Sequence, residues 1–208
     1  MASRNGHRVQ AITIIIGMPA SGKSTLMKHL MELTHPWRFD NTTKYLPMHF
    51  NSYRQSVILG RYDDSKHPFP GTDRMSMACQ AHALTFIKNN PDKDFIMEGD
   101  RLGNQKFILQ LCNETDAWVT VIHLVNGART AVERMRSSQT DAFRRSRKTK
   151  LDNIDRLCQG LASTANGRAP SIDYHVVQND SSGEAHALCL QLIDRRCFDS
   201  PLPIKGVI

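Results

Sequence analysis

The sequence is poor in aromatic side chains, which make up 7% of its 208 residues, and carries 20 acidic residues against 27 Lys and Arg. No uninterrupted apolar run approaches the roughly 20 residues that cross a bilayer, so no transmembrane helix and no membrane partner are expected. Residues 1–10 contain Arg4, His7 and Arg8 without an apolar stretch, and Ala11 to Ile16 is too short for the core of a signal peptide. A soluble, cytoplasmic protein is the expectation. The five cysteines are scattered and never spaced C-x-x-C, which predicts reduced thiols packed as small apolar groups. The nine histidines form no H-E-x-x-H or paired-ligand spacing, which excludes the familiar zinc motifs. There is no internal repeat and no linker-like segment, so residues 1–208 are expected to form one domain.

The charge that is present is concentrated. The net charge is +7 and the pI about 9.3. Between Arg129 and Lys150 stand eight basic residues, including Arg134, Arg136, Arg144, Arg145 and Arg147, against the two acids Glu133 and Asp141. Such a block is either a solvated face or a grip on a polyanion, whether nucleotide phosphates or a nucleic-acid backbone.

Ala11 to Ile16 is a β-branched apolar run suited to a strand buried on both faces, as in a parallel sheet. A helix is predicted from Lys23 to about Glu32. Tyr45–Phe50 and Ser56–Tyr62 read as two short strands that can form a hairpin lying off the main sheet. Residues 63–74 read as loop, and Asp73 as the cap of a helix from about Arg74 to Asn89. Asp94–Glu98 is a second buried strand, followed by a helix over about Asn104–Cys112 and a third strand over Ala117–Leu124. Ala128–Arg136 begins a helix that carries the basic block to about Gly160. Tyr174–Gln178 is a short strand, Glu184–Arg195 a last amphipathic helix, and the end with Pro201 and Pro203 a tail. Apolar strands alternating with helices predict an α/β fold, a three-layer α/β/α sandwich with a mostly parallel sheet.

Gly17-Met18-Pro19-Ala20-Ser21-Gly22-Lys23-Ser24 matches the phosphate-binding pattern G-x-x-x-x-G-K-[ST] without deviation. Its context is the required one, an apolar strand before it and a helical pattern after it. Gly17 and Gly22 permit backbone conformations that a Cβ penalises, so that N–H groups, Ala20 and Ser21 among their carriers, can turn towards a phosphate. The helix that opens through Ser24 and Thr25 aims its positive end at the same anion. Lys23 would reach the outer phosphates of ATP, and the Ser24 hydroxyl would complete the shell of Mg2+.

In such folds chemistry sits beyond the carboxyl ends of the parallel strands. The second strand ends in Glu98-Gly99-Asp100-Arg101. One carboxylate there can accept the proton of an attacking hydroxyl or hold the metal shell, and Arg101 can neutralise phosphate charge. Glu98 is the first choice and Asp100 the second, and spacing does not separate base from metal organiser. The alternative is that both merely cap the next helix.

Strand, phosphate loop, acid-tipped strand and late arginine-rich segment together resemble the nucleotide-kinase branch of P-loop proteins. That resemblance implies a lid over about 137–150 whose Arg144, Arg145 and Arg147 touch the transferring phosphate. It implies an adenine-stacking arginine, Arg134 or Arg136, and an adenine-contacting loop at Gln178-Asn179-Asp180, for which a plain turn is the alternative. An acceptor-side insertion would occupy about 36–75. Ile58-Leu59-Gly60-Arg61-Tyr62-Asp63, Phe69–Ala78 and Glu98–Arg101 further resemble phage kinases that phosphorylate 5-hydroxymethyluracil in DNA. The implied partners are ATP and DNA containing a hydroxymethylated base. Asp73 and Arg74 would then face the acceptor, unless they are a helix cap and a surface arginine. Tyr45, Phe50, Tyr53 and Tyr62 cluster where a base could stack, with core packing as the alternative. The rival functions are a kinase of a free nucleoside, nucleotide or small metabolite, and an ATPase that switches a binding surface.

Overall fold

The computed structural model describes residues 9–62, 71–76, 78–126, 152–154, 156–157, 159–160, 172–179 and 183–197. Seven strands form one sheet: β1 (Ala11–Gly17), β2 (Arg38–Asp40), β3 (Met48–Asn51), β4 (Ser56–Leu59), β5 (Asp94–Glu98), β6 (Trp118–Val125) and β7 (Ile172–Gln178). Their order is β2-β3-β4-β5-β1-β6-β7. β4, β5, β1, β6 and β7 run parallel, and β3 pairs antiparallel with both β2 and β4. β1 lies centrally and is buried along its whole length, as its unbroken apolar sequence requires.

Among the described residues, helices α1 (Lys23–Leu33), α2 (Cys79–Lys88), α3 (Gln105–Glu114) and α4 (Glu184–Cys197) lie on the two faces. Leu26, Met27 and Leu30 of α1 share a core with Ala185, Cys189, Leu190 and Ile193 of α4, each set recurring at helical spacing. Cys79, Ala83, Leu84 and Ile87 of α2 pack with Phe107, Ile108, Leu111 and Cys112 of α3 in the other core. Helices on both faces of a mostly parallel sheet make the three-layer architecture that alternating apolar strands and helices predict.

Two expectations are corrected. The β3–β4 hairpin does not lie off the main sheet but extends it, with Ser56–Leu59 in parallel register against Asp94–Met97. Asn51 also ties the hairpin to the end of α1, its side-chain amide donating to the Thr34 carbonyl and its Oδ1 accepting from the Arg54 backbone. The predicted helix beginning near Arg74 starts only at Cys79, and Asp73 belongs to a separate 3-10 turn, Thr72–Arg74. An antiparallel bridge between Arg61 and Gly71, with N–H to O distances of 3.1 and 2.7 Å, draws this turn to the sheet. The predicted helix over Ala128–Arg136 and the tail with Pro201 and Pro203 fall outside the described residues.

β2 has no counterpart in the sequence expectations, and the remaining described elements lie within a few residues of them. Asn104 caps α3, its Oδ1 accepting from the Phe107 backbone at 3.1 Å, so neither Glu98 nor Asp100 serves as that cap.

Candidate active site

β1 delivers the chain to Gly17 at its carboxyl end, and α1 leaves six residues later. Two left-handed residues shape the turn between them, Ala20 with φ 65° and Gly22 with φ 97°. Gly22 is the N-cap of α1, where that backbone excludes most side chains. A Cβ on Gly22 would also lie 2.5 Å from the Asn179 amide nitrogen. Lys23 folds its ammonium back over the loop, donating to the carbonyls of Gly17 at 2.8 Å and Met18 at 3.0 Å. The Ser21 N–H closes an inner turn onto the Met18 carbonyl at 3.1 Å. Ser21 Oγ is buried without a hydrogen-bond partner among the described residues. A buried hydroxyl left unsatisfied in a loop that heads a helix is suited to a phosphate oxygen.

The other half of the site comes from the neighbouring strand. Glu98 stands opposite Ile15 in the β1–β5 register, two residues short of Gly17, and the Gly99 N–H donates to the Ile15 carbonyl at 3.0 Å. The carboxylate is therefore carried alongside the phosphate loop. Its Oε1 accepts from Ser24 Oγ at 2.9 Å and from the Tyr62 hydroxyl at 3.0 Å. Glu98 is only 3% exposed, so these charge-assisted bonds operate away from bulk water.

Gly71 and Thr72 are held against the same residue. Thr72 Oγ1 donates to the Glu98 carbonyl at 2.5 Å. Gly71, at φ 80°, sits so close that a Cβ there would run into Glu98 Oε1 and lie 2.8 Å from the Tyr62 oxygen. His49, buried on β3, accepts the Tyr62 backbone N–H on Nε2 at 3.2 Å, which requires that nitrogen to be unprotonated.

The sequence-selected residues divide by position. Gly17, Ala20, Ser21, Gly22, Lys23 and Ser24 form the loop, and Thr25 is exposed in the first turn of α1. Ser24, Glu98 and Tyr62 meet at one oxygen. Asp100 lies exposed on the turn after β5, in contrast to the buried Glu98. Arg101 is half-buried beside Cys79, whose thiol is pushed up by burial, an effect the guanidinium partly offsets. Arg74 is half-buried in the 3-10 turn. The Asn179 amide nitrogen donates to the Ser21 carbonyl at 2.7 Å, beneath the loop. The Asp73 side chain, Arg134, Arg136, Arg144, Arg145 and Arg147 lie outside the described residues. The sequence gives no separate role to Gly71 and Thr72, although both lie within the Phe69–Ala78 segment, and it passes over His49 and Asn126, whose side chain donates to the Ala20 carbonyl at 2.8 Å. His49 and Asn126 belong to no motif, and the strand order brings them to the site.

Of the four aromatic candidates, Tyr62 is at the carboxylate. Tyr53 is 85% exposed in the β3–β4 turn, at the end of the sheet opposite the loop. Phe50 packs edge-on against Phe86. Tyr45 is 44% exposed, between β2 and β3 at the same end as Glu98, with the Lys44 ammonium 4.9 Å from its ring centre.

The residues fit a magnesium ion. Ser24 and Glu98 bring a hydroxyl and a carboxylate oxygen together beside the phosphate loop. Mg2+ asks for little more from protein, taking the rest of its shell from phosphates and water.

A phosphate loop between a central parallel strand and its helix, with a carboxylate from the adjacent strand on the loop's serine, defines a P-loop NTPase fold. A family model described as P-loop Nucleotide Kinase3 matches residues 8–146, about two thirds of the chain, and the chain belongs to that family. It is accordingly a phosphotransferase that takes an ATP-type nucleotide. Among solved structures it is similar to an unliganded sugar kinase from Janibacter sp. HTCC2649, at 13% identity over 89% of this chain and 95% of that one, TM-score 0.42. It is also similar to the thymidylate kinase of Candida albicans, at 14% identity over 90% and 92%, TM-score 0.40. No curated protein matches it.

Proposed function

We propose that the protein transfers the γ-phosphoryl group of ATP to a hydroxyl, and that the hydroxyl is the 5-hydroxymethyl group of 5-hydroxymethyluracil in DNA. The observation that carries the transfer is Glu98 Oε1, shared between Ser24 on the phosphate side and Tyr62 on the acceptor side. Phosphates dock in Gly17–Ser24, with Ser24 and Glu98 as the residues that hold Mg2+. When bound, the ion supplies charge neutralisation at the phosphates.

Lys23 leaves the loop carbonyls and turns its ammonium to the outer phosphates. Tyr62 marks the side from which the acceptor hydroxyl reaches Glu98, and Glu98 receives its proton. Arg101, with Arg144 and its neighbours from the basic segment, offsets the charge of the moving group. Arg136 and Thr25 contact the nucleotide, while Asp73 and Arg74 face the acceptor. Asp100, exposed, is secondary.

The DNA acceptor is supported by the resemblance of residues 58–63, 69–78 and 98–101 to phage hydroxymethyluracil kinases. The net charge of +7 adds to it. Tyr45 and Lys44 offer an aromatic face and a cation at the acceptor edge for a base drawn from the stack, a step that costs a few kcal/mol. Incubation with γ-labelled ATP and three acceptors tests this reading: hydroxymethyluracil DNA, ordinary DNA and the free hydroxymethyl nucleoside. Label on the hydroxymethylated DNA alone is expected. Label on the nucleoside and not on the DNA overturns the DNA acceptor, and phosphate release with no labelled acceptor overturns the kinase.

A further inference from the structure

Asn126 and Asn179 each stand one residue beyond the end of a strand, and the two strands are neighbours. Val125 of β6 pairs with Gln178 of β7, and the Asn179 N–H donates to the Val125 carbonyl at 2.7 Å. The paired asparagines therefore reach the phosphate loop side by side. Asn126 Nδ2 donates to the Ala20 carbonyl at 2.8 Å, and Asn179 Nδ2 to the Ser21 carbonyl at 2.7 Å. Asn179 is 4% exposed, so the Ser21 carbonyl would lose this buried partner with its amide.

These are the two peptide groups flanking Ser21, and both border left-handed residues. In a planar trans peptide the C=O and the following N–H point in opposite directions. Holding the Ala20 carbonyl on Asn126 thus turns the Ser21 N–H inward, where it meets the Met18 carbonyl and closes the inner turn. Holding the Ser21 carbonyl on Asn179 turns the Gly22 N–H to the opposite side, away from Asn179. Glycine has little barrier of its own against the flipped peptide, so an external partner must fix the orientation. A Cβ on Gly22 would lie 2.5 Å from the Asn179 amide nitrogen, so glycine leaves that partner its position.

We infer that Asn126 and Asn179 are a pair of positioning residues that lock the peptides on either side of Ser21, with Asn179 aiming the Gly22 N–H at a nucleotide phosphate. The inference rests on nucleotide binding by this loop and adds the device that holds the loop in its binding shape. A bond made equally in ground and transition states changes affinity without changing turnover. Removing Asn179 should therefore raise KM and Kd for ATP together while leaving kcat alone.

The test compares the full chain with Asn179→Leu and Asn179→Asp. It measures ATP affinity by calorimetry without acceptor, KM and kcat with acceptor, and the melting temperature without nucleotide. Both variants should bind ATP about tenfold more weakly or worse, at temperatures well below their melting points, with kcat at saturation within about threefold of wild type. Asn126→Leu should show a smaller loss of the same kind. Should Asn179→Leu fail to fold, the isosteric Asn179→Asp carries the same comparison. ATP affinity within twofold of wild type in the folded Asn179 variants overturns the lock alone. So does a loss shared equally between kcat and affinity. A wild-type chain that binds no ATP overturns the nucleotide reading and the lock with it.

Discussion

At Glu98 a single carboxylate oxygen takes hydroxyl donors from two segments, Ser24 from the phosphate loop and Tyr62 from the stretch after β4. The two donors differ in what their loss should do. Tyr62→Phe removes one bond to a charged group and leaves the ring, so transfer should slow by about tenfold, with ATP affinity unchanged in a binding assay. Asp100→Asn, on the exposed turn, should cost far less than Glu98→Gln in a side-by-side rate measurement. The sequence made Glu98 visible because an acid ends an apolar strand in a fold whose chemistry lies at strand ends. It put Glu98 before Asp100 but could not separate base from metal organiser, since burial and the reach of Ser24 depend on the β1–β5 register. Tyr62 stood out as one of four clustered aromatics and as part of the Ile58–Asp63 segment, and its bond to Glu98 comes from the pairing of β4 with β5.

At the scale of elements, local signals served wherever the element carries its own pattern. β1, the phosphate loop, α1 and β5 were legible because apolar runs, glycines and helical spacing are contained within them. The start of α2 was not, because Asp73 has the chemistry of a cap while Gly71 and Thr72 are held to Arg61 and Glu98. The sheet membership of β3 and β4 was hidden for the same reason, resting on the parallel pairing of β4 with the distant β5. Gly71→Ala should displace Tyr62 and Glu98 and lower kcat by at least about tenfold with little change in ATP affinity, because the strained φ and the collision both fall on the acceptor side. Asn104→Ala, by contrast, should cost about 1 kcal/mol in denaturant unfolding and slow transfer far less than Gly71→Ala, since it removes the α3 cap and the amide's 3.3 Å bonds to the Asp100 and Arg101 carbonyls without touching Glu98.

For the molecule as a whole, two kinds of group set the response to solvent. Burial holds the Cys112 thiol up at about 11 and the Cys189 thiol up at about 12. A raised folded value means that the contribution is fully present below the ordinary thiol range and is lost as pH rises from about 9 through 11 and 12, as the unfolded chain releases its protons first. Unfolding midpoints should therefore fall on the alkaline side, and Cys189→Ala should flatten that fall. Charge acts through the basic surplus: affinity for hydroxymethylated DNA should drop steeply with added salt, and a flat response would remove the polymer from the reaction. The class of enzyme follows from a loop and a strand end, whereas the acceptor depends on surfaces that no single motif encodes. The most direct test of phosphoryl transfer through the shared carboxylate is a single-turnover rate with γ-labelled ATP and hydroxymethyluracil DNA, wild type beside Glu98→Gln. The account predicts at least about a hundredfold loss of label transfer in the variant, at a nucleotide concentration that saturates both proteins. Transfer by Glu98→Gln at the wild-type rate would contradict it.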